Sequence, residues 1–302
     1  MTQCEAWICA QHHDMYSVYL PEAGVFQTAG LTGKMRQQLM KQQIQLVTGD
    51  RVTLIGKQIT ALYARHSLLS RLEAGTRGQV QALAANMDYV FICTSLNEEF
   101  NIKRIDRYLA MADGARVEAV LLITKADLEA DLSQVNEALM ALNPPRQAIF
   151  CSALNGMGIK EVENLVAGGK RGVLMGSSGV GKSSLINALK GSESLATSLI
   201  SDHKARGRHT TTRRALIPLE NGGFLIDSPG MRELKLDRSD TEAGFADIRE
   251  LAQGCRFGDC AHGREPGCAV QEAVANGLLR RERLTSYLKL KTEEQKQGKR
   301  RR

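Results

Sequence analysis

One nine-residue segment limits the folds open to this chain. Gly176 to Ser184, GSSGVGKSS, contains the pattern G-x-x-x-x-G-K-[ST], whose backbone N–H groups surround phosphate oxygens. The segment follows the apolar run Val173–Met175 and opens a helical pattern over Ser184–Leu189. A strand, a loop and a helix N-terminus in this order form a phosphate site. The predicted nucleotide-binding residues of the loop are Gly176, Ser177, Ser178, Gly179, Val180, Gly181, Lys182, Ser183 and Ser184.

Four residues in and beyond this loop are predicted to handle the terminal phosphates and a Mg²⁺ ion. Lys182 is expected to reach the β- and γ-phosphates, as a binding and catalytic group, and Ser183 to ligate Mg²⁺. Asp227 ends the apolar run Phe224–Ile226 and is expected to hold the same ion. Gly230 closes the segment Asp-Ser-Pro-Gly. Its N–H group is expected to contact the γ-phosphate, so that this stretch can sense hydrolysis.

Two further loops are predicted to read the base. Thr124, Lys125, Ala126 and Asp127 follow the apolar run Ala119–Ile123. A carboxylate at Asp127 accepts hydrogen bonds from N1–H and the 2-amino group of guanine, whereas adenine offers neither donor. A second set follows the run Ala148–Cys151 and is expected to support guanine O6 through the backbone of its middle residue: Ser152, Ala153 and Leu154. Guanine is therefore predicted, with a phosphate-loop ATPase as the alternative.

A cysteine cluster lies near the C-terminus. Cys255, Cys260, His262 and Cys268 supply three thiolates and one imidazole within fourteen positions. Four such ligands suit a closed tetrahedral Zn²⁺ site with a structural role. The alternative, three free cysteines and a surface histidine, explains the crowding less well.

The sequence divides into three zones of different composition. Residues 80–235 alternate apolar runs with helical patterns, which predicts a parallel sheet covered by helices. Its five predicted strands are Tyr89–Thr94, Ala119–Ile123, Ala148–Cys151, Gly172–Met175 and Phe224–Ile226. Residues 237–302 hold the cysteine cluster and a basic helical stretch over about Val270 to Lys291. The first seventy residues contain short apolar stretches that predict a small β-barrel: Trp7–Cys9, Tyr16–Leu20, Gly24–Gln27, Ile44–Val47, Arg51–Ile55 and Ile59–Tyr63.

Charge and hydropathy limit the partners and the cellular location that can be expected for this protein. The net charge is +7, and residues 280–302 account for all of it with ten Lys or Arg against three Glu. Such a tail is either solvated or a contact surface for a polyanion. There is no run of eighteen apolar residues and no signal-peptide pattern at the N-terminus. We therefore expect a soluble, cytoplasmic protein that does not engage a membrane.

The order of the motifs resembles that of one family. In most GTPases the motifs follow the order phosphate loop, switch threonine, D-x-x-G, N-K-x-D and S-A. In this chain TKAD and SAL come before the phosphate loop, and the Thr-rich switch and DSPG follow it. This circularly permuted order, with a barrel before it and a cysteine cluster after it, resembles the RsgA/YjeQ family of ribosome small-subunit-dependent GTPases. Two departures from the general pattern are Thr124, in place of asparagine, and Met231, in place of a water-orienting glutamine.

The resemblance implies a three-part organisation and a function. It implies an OB-fold-like, RNA-binding barrel over residues 1–70, a permuted α/β GTPase domain over 71–236 and a mainly α, zinc-binding domain with a basic tail over 237–302. The implied activity is hydrolysis of GTP to GDP and phosphate, stimulated by the 30S subunit during its late assembly. The implied partners are GTP, GDP, the 30S particle and its 16S rRNA, and we expect a monomer. A nucleotide-gated RNA-binding adaptor with negligible catalysis is the alternative.

The switch segment, residues 204–214, is expected to complete the site. By resemblance, Thr211 or Thr210 ligates Mg²⁺, with the choice open and Thr211 taken as the working assignment. Because Met231 cannot orient water, His209 is the nearby side chain able to do so near neutral pH. A solvated His209, with the ribosome supplying the catalytic group, is the alternative. The five Lys and Arg residues of the segment could instead bind RNA phosphates.

Overall fold

The computed structural model describes residues 3–72, 80–95, 101–128, 132–140, 142, 146–191, 215–227, 244–263 and 265–299. Within these ranges the chain forms a closed barrel, a two-stranded hairpin, a six-stranded sheet with helices and a C-terminal helical part. Among the helices of these ranges, none is both long and apolar enough to cross a membrane.

The N-terminal part is the predicted barrel. Its strands pair in the order β1-β2-β3-β5-β4, and β4 closes on β1. The pair of β3 and β5 is parallel, whereas the other pairs, including the closing pair of β1 and β4, are antiparallel. The elements are β1 (Gln3–His12), β2 (Met15–Leu20), β3 (Val25–Leu31), α1 (Gly33–Gln42), β4 (Arg51–Ile55) and β5 (Gln58–Leu62).

Helix α1 is an element that the sequence analysis missed. Thr32 caps it by accepting a hydrogen bond from the N–H of Met35 at 3.2 Å, and Met35 and Leu39 are buried against the interior of the barrel. The expected strand at Ile44–Val47 is wrong, because this stretch is a loop. Its shape is fixed by the Asp50 carboxylate, which accepts a hydrogen bond from the Val47 N–H at 2.8 Å.

A hairpin connects the barrel to the sheet. It consists of β6 (Leu68–Leu72) and β7 (Val80–Ala85), which pair with each other and, among the described residues, with no strand of the barrel or the sheet. The barrel's last strand ends at Leu62, and β6 spans the expected boundary between residues 70 and 71.

The central sheet has the order β10-β9-β8-β11-β13-β12, in which only β12 is antiparallel to its neighbour. All five predicted strands are present, and β12 was not predicted. The strands are β8 (Tyr89–Ser95), β9 (Glu118–Thr124), β10 (Gln147–Phe150), β11 (Arg171–Met175), β12 (Ala215–Pro218) and β13 (Phe224–Asp227). The helices of this part are α2 (Ile102–Gly114), α3 (Leu132–Met140), α4 (Ile159–Val166) and α5 (Lys182–Lys190).

Apolar clusters cover both faces of this sheet. On β9, Leu121 and Ile123 face a cluster that includes α2 and the C-terminal helices, whereas Val120 and Leu122 face a cluster with α4 and α5. Burial on both faces explains the continuous apolar runs that predicted these strands. The C-terminal helices are α6 (Ala246–Ala252), α7 (Ala269–Ala275) and α8 (Arg281–Lys299).

Candidate nucleotide and metal sites

The predicted nucleotide residues that the structure describes lie at one edge of the central sheet. Strands β8, β9, β10, β11 and β13 are parallel, so their carboxyl ends share that edge. Thr124 and Asp227 are the last residues of β9 and β13, and Gly176 and Ser152 lie just beyond the ends of β11 and β10. Ligand sites of open α/β sheets lie outside the carboxyl ends of the strands.

The backbone of the phosphate loop adopts conformations that require glycine. Gly176 and Gly181 have φ angles of +156° and +101°, and a Cβ atom on Gly176 would lie 2.6 Å from the carbonyl oxygen of Cys93. Helix α5 begins at Lys182, directly after Gly181. The Lys182 Nζ donates hydrogen bonds to the carbonyls of Gly176 and Ser177, both at 2.7 Å. The ammonium group therefore lies across the loop, where phosphate oxygens would meet it.

Thr124 connects the base-reading loop to the phosphate loop. Its side chain is buried, and its Oγ1 lies 2.5 Å from the carbonyl oxygen of Val180 and 2.9 Å from that of Thr94. The expected tie between these loops through the threonine hydroxyl is therefore present. The hydroxyl carries one proton for two acceptors, and the shorter contact is with the phosphate loop.

Asp127 is oriented by the second base-reading loop. The Ser152 Oγ donates a hydrogen bond to Asp127 Oδ1 at 2.5 Å and accepts one from the N–H of Leu154 at 3.1 Å. The N–H of Ala126 donates to the carbonyl of Cys151 at 3.1 Å, which joins the two loops through their backbones. Asp127 and Ala153 are exposed, so the carboxylate and the neighbouring backbone are accessible to a base.

Asp227 suits a cation site. Burial raises the pKa of its carboxyl group, and the nearby Lys182 ammonium opposes that shift. A desolvated carboxylate at the sheet edge gains from a divalent ion that replaces its lost hydration. The exposed Ser183 lies on the first turn of α5. The remaining predicted residues of this site, His209, Thr210, Thr211 and Gly230, lie outside the described part of the chain.

The four predicted metal ligands converge. Their ligand atoms all lie within 4.8 Å of one another. The Cys255 Sγ is 3.9 Å from the Cys268 Sγ, and the His262 Nδ1 is 3.6 Å from the first and 3.5 Å from the second. A tetrahedral Zn²⁺ ion, with bonds of about 2.3 Å to sulfur and about 2.0–2.1 Å to nitrogen, spaces two sulfurs about 3.8 Å apart and sulfur about 3.6 Å from nitrogen. The cluster can therefore hold a metal ion, and its spacing fits zinc.

Groups around the cluster hold the ligands in place. Burial lowers the pKa of His262, which favours the neutral imidazole that binds metal. The Gln271 Nε2 donates hydrogen bonds to the carbonyls of His262 and Gly263 at 2.6 and 2.9 Å. The Cys268 Sγ caps α7 by accepting from the Gln271 N–H at 3.5 Å. Gln271 was not predicted, although its position three residues after a helix cap is that of a capping-box partner.

The fold and these sites define a class: a phosphate-loop nucleotide-binding protein in circularly permuted order, with a barrel before it and a cysteine-histidine metal cluster after it. The family model for RsgA GTPase matches residues 62–237. The chain therefore belongs to the RsgA GTPase family, as its motif order indicated.

Relatives and solved structures agree with this membership. The small ribosomal subunit biogenesis GTPase RsgA 2 of Lactiplantibacillus plantarum is 42% identical over 296 residues, covering 96% of this chain and 83% of the relative. The small ribosomal subunit biogenesis GTPase RsgA of Xanthomonas oryzae pv. oryzae is 44% identical over 250 residues, covering 81% and 68%.

Two crystal structures share the whole fold. YjeQ from Thermotoga maritima superposes with a TM-score of 0.73 at 28% identity and covers 97% of this chain and 99% of that one. YloQ, a circularly permuted GTPase, superposes with a TM-score of 0.66 at 24% identity and covers 98% and 96%. The predicted architecture of barrel, permuted GTPase domain and C-terminal metal-cluster part is confirmed.

Proposed function

We propose that this protein hydrolyses GTP while bound to the small ribosomal subunit and acts late in the assembly of that particle. The observation that carries the proposal is the carboxyl edge of the sheet, which holds the phosphate loop with Lys182, the base-reading loop with Asp127 and the end of β13 with Asp227 on one permuted GTPase fold. The names of the relatives, small ribosomal subunit biogenesis GTPases, support the choice of partner. The proposal also includes contact with 16S rRNA, a monomeric state and a cytoplasmic location.

The chain's own groups suffice to bind and position GTP. The backbone N–H groups of Gly176–Ser184 surround the phosphates, and Lys182 exchanges its loop carbonyls for phosphate oxygens. Mg²⁺ bound with the nucleotide neutralises phosphate charge, and the residues that would hold it are Ser183, Asp227 and Thr211, with Thr210 as the other candidate. The N–H group of Gly230 contacts the γ-phosphate, so that the chain after it responds to hydrolysis.

Guanine selectivity follows from one carboxylate. Asp127 accepts from guanine N1–H and the 2-amino group, while Ser152 holds one of its oxygens in place. The Ala153 N–H supports O6, and the stem of Lys125 lies along the base plane. Adenine would leave the carboxylate repelled and unpaired.

The metal cluster has a structural role. Cys255, Cys260, His262 and Cys268 would hold one Zn²⁺ ion, and four protein ligands leave no open position for chemistry. The ion would stabilise the loops that precede α7.

The proposed surfaces for rRNA are the barrel, the metal-cluster part and the basic tail.

Phosphate release tests the activity and its partner together. Purified protein is given GTP or ATP, each with and without 30S subunits. We expect slow release from GTP alone, strong stimulation by the subunits and little release from ATP. Unstimulated turnover with intact GTP binding would favour the nucleotide-gated adaptor. Equal release from ATP would make the protein a phosphate-loop ATPase.

His209 is the proposed group that orients the attacking water. The variant His209→Ala should leave GTP affinity nearly intact and lower the subunit-stimulated rate by ~10²-fold or more, the scale of a positioned proton-transfer group. Stimulated phosphate release and equilibrium nucleotide binding are measured on the same preparation. An unchanged stimulated rate would assign the catalytic group to the ribosome. Loss of GTP binding would make His209 a structural part of the nucleotide site.

A further inference from the structure

Arg283, on α8, is almost completely buried, with 4% of its surface exposed. Its Nε and one terminal nitrogen donate hydrogen bonds to the two carboxylate oxygens of Asp247 at 2.7 and 2.8 Å. The same terminal nitrogen donates to the carbonyl of Gly244 at 2.8 Å, and the guanidinium carbon lies 4.7 Å from the centroid of the Phe245 ring. One planar, five-donor group therefore holds the start of α6 in a geometry that only arginine can match.

The other side of the same guanidinium faces the GTPase domain. Its second terminal nitrogen lies 3.8 Å from Oδ1 of Asp106 on α2, and Arg280 lies 3.9 Å from the same oxygen. The Asp106 side chain is fully buried. Burial raises the pKa of this carboxyl group, and Arg283 and then Arg280 oppose the shift. A buried charge is tolerated only with a nearby partner. The positive charges of these two arginines therefore stabilise the ionised carboxylate of Asp106 on α2.

The backbone at this contact packs closely against α2. A Cβ atom on Gly244 would lie 2.3 Å from the Cβ and 2.4 Å from the Cα of Ala110 on α2, so glycine lets the chain touch the helix. Toward the N-terminus of α2, the buried side chains of Ile105 and Tyr108 lie close to Thr94 at the end of β8. Thr94 is the residue whose carbonyl contacts the Thr124 hydroxyl. Helix α2 therefore lies between the C-terminal part and the base-reading loop.

We propose that Arg283 is a positioning residue for stimulated GTP hydrolysis, which docks the C-terminal module (residues 244–263 and 265–299) onto α2 in one fixed orientation. The proposal rests on the proposed function, in which the module binds the ribosomal particle that stimulates the GTPase domain. Fixed docking lets subunit contacts at the module act on the nucleotide edge through α2. The Asp247 carboxylate and the Gly244 carbonyl set the orientation of the guanidinium, and Asp106 sets where it docks.

The sequence places this contact after the switch. Gly244 follows the predicted γ-phosphate-sensing Gly230 by fourteen residues, so the start of the module lies close to the switch in the sequence. Arg283 touches neither the phosphate loop nor the base-reading loops among its described contacts. Its replacement should therefore spare nucleotide binding and unstimulated turnover.

The test compares Arg283→Lys with Arg281→Lys, a matched change at an exposed position of the same helix. Lysine keeps the charge but cannot make the two-pronged hydrogen bond. Four quantities are measured: metal content, the KM for GTP, the unstimulated rate and the kcat with 30S subunits. For Arg283→Lys we expect the first three to stay within about twofold and the stimulated kcat to fall roughly 10- to 100-fold, the scale of a misplaced group. Arg281→Lys should match the wild type.

A second variant, Asp106→Asn, keeps the shape of the buried side chain and removes its charge. It should lower the stimulated kcat in the same direction with KM unchanged. A stimulated kcat equal to that of the wild type in folded, metal-loaded Arg283→Lys would overturn the proposal. So would loss of the folded state or of metal in both variants, since Arg283 would then hold the fold alone. Failure of the wild type itself to respond to 30S subunits would instead refute the proposed function.

Discussion

Thr124 shows how one side chain can replace another in a shared site. The general GTPase pattern has asparagine at this position, whose amide offers two donor hydrogens and one acceptor. The threonine is shorter and has one hydroxyl proton, yet its Oγ1 lies within hydrogen-bonding distance of the carbonyls of both Val180 and Thr94. The tie between the phosphate loop and the base-reading loop is therefore retained with fewer donors, so we expect modest nucleotide affinity.

Removing that hydroxyl should weaken nucleotide binding. Thr124→Val keeps the shape and removes the one hydroxyl proton that the carbonyls of Val180 and Thr94 share, a cost of ~1–1.5 kcal/mol or about a tenfold decrease in GDP affinity. Thr124→Ser keeps the hydroxyl and serves as the control, with affinity close to that of the wild type. Equilibrium titration with a fluorescent GDP analogue measures both. Equal affinity of the valine and serine variants would mean that the hydroxyl does not join the loops.

The elements differ in how well the sequence predicts them, and the reason is the range of the interactions involved. The five parallel strands were predicted because burial on both faces demands continuous apolar runs such as Ala119–Ile123. Helix α1 was missed because it buries little more than Met35 and Leu39, and Ile44–Val47 was misread because Asp50 holds this apolar stretch as a loop.

The site divides in the same way. The phosphate loop, the base-reading loops and the metal ligands are local patterns, so their residues were predicted before the fold was known. The contact of Arg283 with Asp106 joins positions 177 residues apart in the sequence, and no pattern in either segment identifies the partner. The same holds for Arg171, which begins β11 and lies over the ring of Trp7 in the barrel at 3.5 Å.

A metal ion bound by the cluster would hold together the loops that precede α7, so the loss of a ligand should act there first. Cys260→Ser should lower zinc affinity by more than the roughly 10- to 100-fold that removal of a supporting hydrogen-bond partner costs. The C-terminal module should become sensitive to protease, while nucleotide binding survives because the phosphate and base loops lie at the sheet edge. Metal analysis, limited proteolysis and GDP titration measure these effects. Cys4→Ser, a half-buried cysteine outside the cluster, is the control, and a fully folded metal-free wild type would contradict the prediction.

At the scale of the whole molecule, the GTPase domain lies between two parts that attach to it differently. The barrel meets the amino end of β11 through Trp7 and Arg171, and Asn86 donates a hydrogen bond from its amide to the carbonyl of Gly49 at 2.9 Å. The C-terminal module instead docks on α2 through Arg283. The two parts thus contact the GTPase domain at separate places, the barrel at the amino end of β11 and the C-terminal module at α2.

The basic tail should contribute to that binding through charge. Residues 292–302 contain five Lys or Arg and two Glu. Their deletion should weaken 30S binding and flatten its salt dependence, by about 0.7–0.9 in the logarithmic slope for each phosphate that the tail neutralises. Binding to 30S subunits is measured across a series of salt concentrations. The full-length control, Glu293→Gln with Glu294→Gln, raises the positive charge of the tail and should steepen the slope instead. Identical slopes for all three proteins would show that the tail is solvated and binds no phosphate.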